Sequence, residues 1–127
     1  MLRAKTGWWG VILDAPDGPA LGEFYSSLLG WPLTTKPGWA VMDQPGTVSY
    51  LGFQTSEGYE RPVWPNADGS QQMLMHIDIG VDDLETAVAD AIEAGATLAE
   101  HQPQETVRVM LDPAGHPFCL YLDLEDE

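Results

Sequence analysis

The sequence predicts an α+β fold in which one β-α-β-β-β unit occurs twice. A strand-like segment, an amphipathic helix and three further strand-like segments follow one another in each half of the chain. Each helix begins at an aspartate and ends at a glycine, namely Asp17 and Gly30 in the first copy and Asp83 and Gly95 in the second. Each last strand follows a D-x-x-G turn, DQPG (43–46) or DPAG (112–115).

The first module spans residues 7–55. Its opening segment WWGVILDA (8–15) is rich in aromatic and β-branched residues, which favours a strand. Apolar residues then recur with the helical period over 17–29, at Leu21, Phe24, Tyr25, Leu28 and Leu29. Shorter strands are predicted after the helix, at 31–36, 39–43 and 47–55.

The second module spans residues 73–124 and repeats this order within a single domain, 1–127. It opens with a strand, MLMHIDIGV (73–81). Asp82 or Asp83 caps a helix over 83–94, whose apolar face carries Leu84, Ala87, Val88, Ala91 and Ile92. Three strands follow, at 96–100, 106–112 and 116–123. The intervening segment, 56–72, is rich in Pro, Gly and polar residues and is predicted to be a linker.

Composition excludes several classes of protein. The chain has 127 residues, of which 44% are hydrophobic and 20% charged, as in ordinary globular proteins. No apolar run reaches the roughly 20 residues of a membrane span, and the start of the chain lacks the apolar core of a signal peptide. One cysteine cannot form an intramolecular disulfide. We therefore expect a cytoplasmic protein that does not enter membranes.

The charge balance is strongly acidic. Twenty acids against five bases give a formal net charge of −15. Such a charge repels nucleic acid and anionic lipid, and it favours cationic small molecules or basic partners. Solubility in a crowded cytoplasm would also explain it.

Several segments resemble the vicinal oxygen chelate superfamily, which includes glyoxalase I, extradiol dioxygenases, fosfomycin-modifying enzymes and bleomycin-binding proteins. They are FYSSLLGW, HIDIGVDDLETAVADAIEAGA and DPAGHPFCLYL, within the doubled unit. RPVWP followed by QQMLMHIDI is most similar to bacterial glyoxalase-like domains of unassigned activity. The resemblance covers the whole chain. It implies that each sheet curls into a half-barrel with its helix outside, and that the two concave faces enclose a pocket; one such fold hosts many chemistries.

Strand alternation predicts which side chains line that pocket. In 73–81, Met75, Ile77, Ile79 and Val81 should pack under the helix while His76 and Asp78 point inward. The same test places Cys119, Tyr121 and Asp123 inward. The predicted pocket residues are Trp8, Ile12, Trp39, Val41, Tyr50, Gln54, His76, Asp78, Arg108, Met110, Cys119 and Tyr121.

The resemblance also implies four metal-ligand points. Two lie seven residues before the helix-start aspartates, at Gly10 and His76, and two lie four residues after the turn glycines, at Tyr50 and Cys119. A catalytic divalent ion needs about three protein ligands. Because glycine offers none and Cys119 stands where glutamate is common, we predict a metal-free pocket with no cofactor. We expect His76 and Cys119 to face each other across a floor walled by Trp8, Trp39, Tyr50 and Tyr121. The alternative is a divalent metal (Zn, Ni, Mn or Fe) held by His76 and Cys119, with Asp78 or Gln54 as substitutes.

Each singled-out residue has a structural interpretation beside the functional one. His76 is either a catalytic acid/base or a hydrogen-bonded wall residue near Asp78. Cys119 fits a small buried apolar residue better than a reactive thiol. Arg108 could anchor an anion, although an ion pair with one of the acids fits better. Trp64, in RPVWP, is either a lid over the pocket or a plug packed against the barrel.

Two functions follow from this reading. The first is a metal-free small-molecule binding protein whose aromatic walls stack on planar, cationic ligands. The second is an enzyme, either a metal-dependent lyase, isomerase or dioxygenase of the glyoxalase kind or an acid/base catalyst using His76. We expect a homodimer, because the superfamily commonly pairs modules and the edges of open sheets need cover.

Overall fold

The computed structural model describes residues 2–3 and 7–122. The predicted order of elements is confirmed: β1 (Trp9–Ala15), α1 (Gly18–Leu29), β2 (Leu33–Lys36), β3 (Trp39–Asp43), β4 (Ser49–Thr55), β5 (Ile77–Val81), α2 (Leu84–Ala94), β6 (Thr97–Leu98), β7 (Val107–Leu111) and β8 (Pro117–Leu122). The predicted end of the second module, at 123–124, lies outside the described residues, as does Asp123. None of the described helices is long and apolar enough to cross a membrane.

The chain divides into two compact units, the first ending at Tyr59 and the second beginning at Glu60. This boundary falls inside the predicted linker, 56–72. Each unit contains one four-stranded sheet, with the order β1-β4-β3-β2 in the first and β5-β8-β7-β6 in the second. In both sheets the first and last strands of the module pair in parallel, and the other pairs are antiparallel.

Local signals fix the ends of both helices. The side chain of Asp17 accepts a hydrogen bond from the amide of Ala20, and that of Asp83 accepts one from Thr86. These contacts satisfy amide groups that the first helical turn leaves open. Gly30 and Gly95 end the two helices.

The core of the first unit lies between α1 and the sheet. Leu21, Phe24 and Tyr25 are buried, and the Tyr25 ring stacks on Phe53 with centroids 5.7 Å apart. In the second unit α2 packs on β6, β7 and β8, above Phe118 and Leu120, which are both buried.

Two expectations about the second module are wrong. The strand predicted over 73–81 begins only at Ile77, so His76 precedes it, and Met75 is 70% exposed rather than packed under the helix. Ile92 belongs to the apolar face of α2 by sequence, but it is 50% exposed, whereas the neighbouring Ala91 is fully buried.

Candidate functional site

The face of the first sheet that α1 leaves uncovered, which we call its open face, carries most of the residues expected from the first module. Strand register defines this face, since directly paired residues point to the same side of a sheet. Trp39 pairs with Gln54, Asp43 pairs with Tyr50, and Tyr50 pairs with Gly10. Ala40, Met42 and Phe53 point the other way and are buried.

A cavity of about 750 Å³ lies on this open face. It is lined by Trp8, Ile12, Gly38, Trp39, Ala40, Val41, Asp43, Tyr50, Gly52, Phe53, Gln54 and Thr55. All six pocket residues predicted from the first module are therefore brought together. The volume lies within the roughly 300–1,000 Å³ that small-molecule sites occupy.

Tyr50 owes its position to Gly10. A Cβ placed on Gly10 would lie only 2.4 Å from the Tyr50 ring, so the ring rests directly on the β1 backbone. Any larger residue at position 10 would have to displace it. The two points of the first module that the superfamily uses for metal ligands therefore carry a glycine backbone and the aromatic ring above it.

The cavity wall includes one carboxylate side chain, Asp43, and one amide side chain, Gln54. Asp43 lines the cavity beside Tyr50, its direct cross-strand partner. Gln54 donates from Nε2 to Asp14 Oδ1 over 2.6 Å, which fixes the orientation of the amide. Asp43 was not among the predicted site residues, yet alternation from Trp39 and Val41 along β3 would have found it.

In the second unit the sequence-predicted His76, Asp78 and Cys119 form one cluster. Each side chain offers one potential metal-ligand atom, and these three atoms lie within 4.8 Å of one another. The imidazole Nε2 of His76 is 3.1 Å from Asp78 Oδ1, and both side chains are substantially exposed. Asp78 is also the direct cross-strand partner of Cys119.

The thiol of Cys119 holds its proton more firmly than an ordinary cysteine does. Partial burial, then the negative charge of Asp78, then a hydrogen bond to Asp78 raise the pKa of the thiol above its ordinary value. Asp78 therefore accepts from the thiol while its Oδ1 stands within hydrogen-bonding distance of His76 Nε2. The carboxylate of Asp78 is thus the hydrogen-bond acceptor that the thiol of Cys119 and the imidazole of His76 share.

The donor atoms of this cluster also fit a metal ion. An imidazole nitrogen, a carboxylate oxygen and a cysteine sulfur are the ligand types of zinc sites, and three protein ligands with an open position are typical of catalytic zinc. His76, Asp78 and Cys119 would hold such an ion once the thiol had lost its proton.

Arg108 and Met110 do not lie with this cluster, so their predicted inward orientation is wrong. Arg108 pairs with Leu120 and Met110 pairs with Phe118, which places both on the α2 side of the sheet. Met110 is fully buried there. Arg108 Nη1 donates to the carbonyls of Glu105 and Val107, both 2.9 Å away, so its partners among the described residues are carbonyls rather than the expected carboxylate.

The turn before each last strand explains this reversal. Six residues, 44–49, separate the closing pair of Asp43 and Tyr50, whereas five, 112–116, separate Leu111 and Pro117. A change by one residue exchanges the two faces of the preceding strand. Val107 and Val109 consequently take the side of Tyr121 and Cys119, their direct partners.

Trp64, Tyr121 and His116 each contact other residues of the second unit. Trp64 packs its ring against His101, with centroids 6.0 Å apart, and its indole nitrogen is buried without a hydrogen-bond partner among the described residues. Tyr121 lies over Gly80. His116 is 2.9 Å from the buried carboxylate of Asp112, which also accepts from the His116 amide and so holds the turn together.

Fold and repeat define the class of this protein as the vicinal oxygen chelate superfamily. The sequence matches the glyoxalase-like domain family over residues 10–121, and the chain belongs to that family. A search among curated proteins returns no match.

Solved structures with the same fold include a glyoxalase/bleomycin resistance protein/dioxygenase family enzyme from Burkholderia phytofirmans PsJN. It has a TM-score of 0.66 and 22% identity, over 91% of this chain and 97% of that one. A possible glyoxalase from Bacillus cereus has a TM-score of 0.64 and 16% identity, over 92% and 99%. A glyoxalase/bleomycin resistance protein from Albidiferax ferrireducens T118 has a TM-score of 0.61 and 17% identity, over 91% and 98%. At these identities the likeness concerns the fold.

Proposed function

We propose that the protein binds a planar, cationic small molecule in the cavity of the first unit, without a metal ion. The observation that carries this proposal is the composition of the cavity wall. Trp8, Trp39 and Tyr50 line it together with the carboxylate of Asp43. Aromatic faces attract both flat ring systems and cations, and a carboxylate at the same surface favours positive charge.

The net charge of the chain supports a cationic ligand. A formal charge of −15 raises the local concentration of cations and repels anions, so it accelerates the association of a positively charged ligand. The contribution of charge is expected to weaken at high salt, whereas stacking on Trp39 is not.

The proposal includes no metal ion because the available side chains are poorly suited to bind one. The first unit supplies Gly10 and Tyr50 at the points where the superfamily places ligands, and Tyr50 offers only a phenol. In the second unit the thiol pKa of Cys119 is raised by burial and by Asp78, so an ion would have to displace a firmly held proton.

Tryptophan fluorescence tests the proposal directly. We expect N-methylquinolinium, a planar monocation, to quench the fluorescence of the protein with a saturable curve. Trp39→Leu should weaken its binding by about two- to tenfold, the range expected for one stacking or cation–π contact. Trp9→Leu is the matched control, because Trp9 adjoins Trp8 but does not line the cavity. Equal effects of the two substitutions, or no saturable quenching, would refute the proposal.

A second candidate is a metal-dependent lyase, isomerase or dioxygenase, and the His76–Asp78–Cys119 cluster favours it. An ion bound there would act as a Lewis acid that polarises a substrate oxygen. His76, Asp78 and Cys119 would hold it.

Metal analysis separates the two candidates. We expect the purified protein to lack stoichiometric Zn, Ni, Mn or Fe, and His76→Ala to leave the metal content unchanged. Stoichiometric zinc that is lost in both His76→Ala and Cys119→Ser would favour the second candidate.

A further inference from the structure

Lys36 holds its ammonium group against one of the aromatic walls of the cavity. Lys36 and Trp39 flank the Pro37–Gly38 turn and form the last cross-strand pair of β2 and β3. Paired residues share a face of the sheet, so Lys36 lies on the open face with Trp39. The Nζ atom lies over the Trp39 ring, 5.2 Å from its centroid, which is within the range of a cation–π contact.

This contact occupies part of the surface that a ligand would use. Trp39 lines the cavity and is 39% exposed, so its ring is available to molecules in solution except where Lys36 covers it. Lys36 is one of only five basic residues in a chain with twenty acids. One of the few positive charges therefore lies over the face of the Trp39 ring, where a cationic ligand would also bind.

We propose that Lys36 is a specificity-determining residue that competes with cationic ligands for Trp39. This inference rests on the proposed binding of planar cations in the same cavity. A cation that stacks on Trp39 displaces the ammonium of Lys36 and meets its positive charge nearby. A neutral ligand of the same shape meets no such charge repulsion. Lys36 thus lowers the preference for cations that the acidic wall creates.

Two isosteric probes measure this effect, the cation N-methylquinolinium and the neutral 1-methylnaphthalene. Lys36→Met keeps an unbranched side chain, one heavy atom shorter, and removes its charge. We expect it to tighten binding of the cation by about two- to fivefold, the scale of one exposed cation–π contact. Binding of the neutral probe should change by a smaller factor, so that the ratio of the two affinities rises.

Two control variants separate the charge of Lys36 at Trp39 from the change in side-chain shape and from the change in net charge. Lys36→Arg keeps the charge and can stack on Trp39, so it should bind the cation no more tightly than the unmodified protein does. Arg61→Met removes one positive charge from the second unit, where Arg61 Nη1 donates to the carbonyl of Pro113. It should leave the ratio of the two affinities unchanged if Lys36 acts locally.

Nuclear magnetic resonance reports displacement itself. The ring current of Trp39 should shift the ε-methylene protons of Lys36 upfield, and saturation with N-methylquinolinium should abolish that shift.

If the unmodified protein binds the cation but Lys36→Met leaves the affinity ratio unchanged or lowers it, the inference fails while the proposed function stands. A shift that persists at saturation also overturns the inference. If the unmodified protein does not bind the cation, both proposals are refuted.

Discussion

At the residue scale, a missing side chain at Gly10 shapes the wall of the cavity. The Tyr50 ring lies where a Cβ of residue 10 would stand, and so an aromatic surface covers the backbone of an edge strand. Gly80 and Tyr121 form another glycine–tyrosine pair at a different position in the second unit, with more space, since the Tyr121 hydroxyl is 3.1 Å from the Cβ position. A tyrosine paired with a glycine is therefore common to both sheets.

This difference in space predicts different costs for the same substitution. Gly10→Ala should lower the free energy of unfolding by about 1–3 kcal/mol, because the new methyl group must push the Tyr50 ring aside. Gly80→Ala is the control and should cost less, since the atom it approaches is the end of a flexible side chain. Urea denaturation measures both. In a double-mutant cycle with Tyr50→Ala, a purely additive effect would show that the ring does not cause the loss.

The protonation of Cys119 is the second residue-scale prediction. Burial is the largest cause of its raised pKa, and Asp78 adds to it. The rate of alkylation by iodoacetamide follows the thiolate, so we expect its midpoint at a higher pH in the folded protein than in the urea-unfolded chain. Asp78→Asn should lower this midpoint but leave it above that of the unfolded chain, because burial, the largest cause, remains. A midpoint in the folded protein at or below that of the unfolded chain would contradict the arrangement.

The same thiol contributes to the pH dependence of stability. Its pKa is higher in the folded protein than in the unfolded chain, so the folded state retains the proton at higher pH. The free energy of unfolding should therefore be unaffected by this group well below pH 9.0 and should fall as the pH rises from about 9.0 through the folded pKa. Cys119→Ser should lack this fall.

At the element scale, the turns before β4 and β8 share a D-x-x-G motif but have different surroundings. Gly46 and Gly115 both have positive φ, 76° and 92°. A Cβ on Gly46 would meet nothing within 4 Å, whereas one on Gly115 would lie 2.4 Å from Arg61 Cγ. Arg61 also donates to the carbonyl of Pro113, so it lies across the second turn.

Alanine at these two glycines separates backbone strain from crowding. Gly46→Ala should cost about 1–2 kcal/mol of unfolding free energy, the penalty of the left-handed backbone region alone. Gly115→Ala should cost more, since Arg61 must also move. Thermal or urea denaturation of both variants, and of Gly115→Ala combined with Arg61→Ala, tests this. If the combined variant recovers none of the extra loss, contact with Arg61 is not its cause.

At the scale of the whole molecule, we predict a homodimer. The sheet edges formed by β1, β2, β5 and β6 have no further strand partner among the described residues. Large apolar side chains are also exposed, including Trp9 at 63%, Leu74 at 77% and Met75 at 70%. Exposed apolar surface and open strand edges are commonly covered by a second subunit. Sedimentation at micromolar concentration should show twice the 13.9 kDa of one chain, and a single species of 13.9 kDa would contradict this.

The sequence by itself determined the order of elements and the limits of both helices, because those features depend on neighbouring residues. Asp17 and Asp83 each accept a hydrogen bond from the backbone amide three residues later. Gly30 and Gly95 end the two helices. Alternation likewise brought together the predicted residues of the first cavity, since Ala40, Met42 and Phe53 are buried on the opposite face of the same strands.

The tertiary structure alone decided features that depend on pairing between distant segments. Both faces of β7 carry apolar residues, so its orientation depends on the length of the turn before β8, and Arg108 lies on the helix side for that reason. The parallel register of β5 and β8 sets Asp78 opposite Cys119, and the late start of β5 leaves His76 just before the strand. Alternation fixes the face of a residue within one strand, but register decides which residue of another strand it meets.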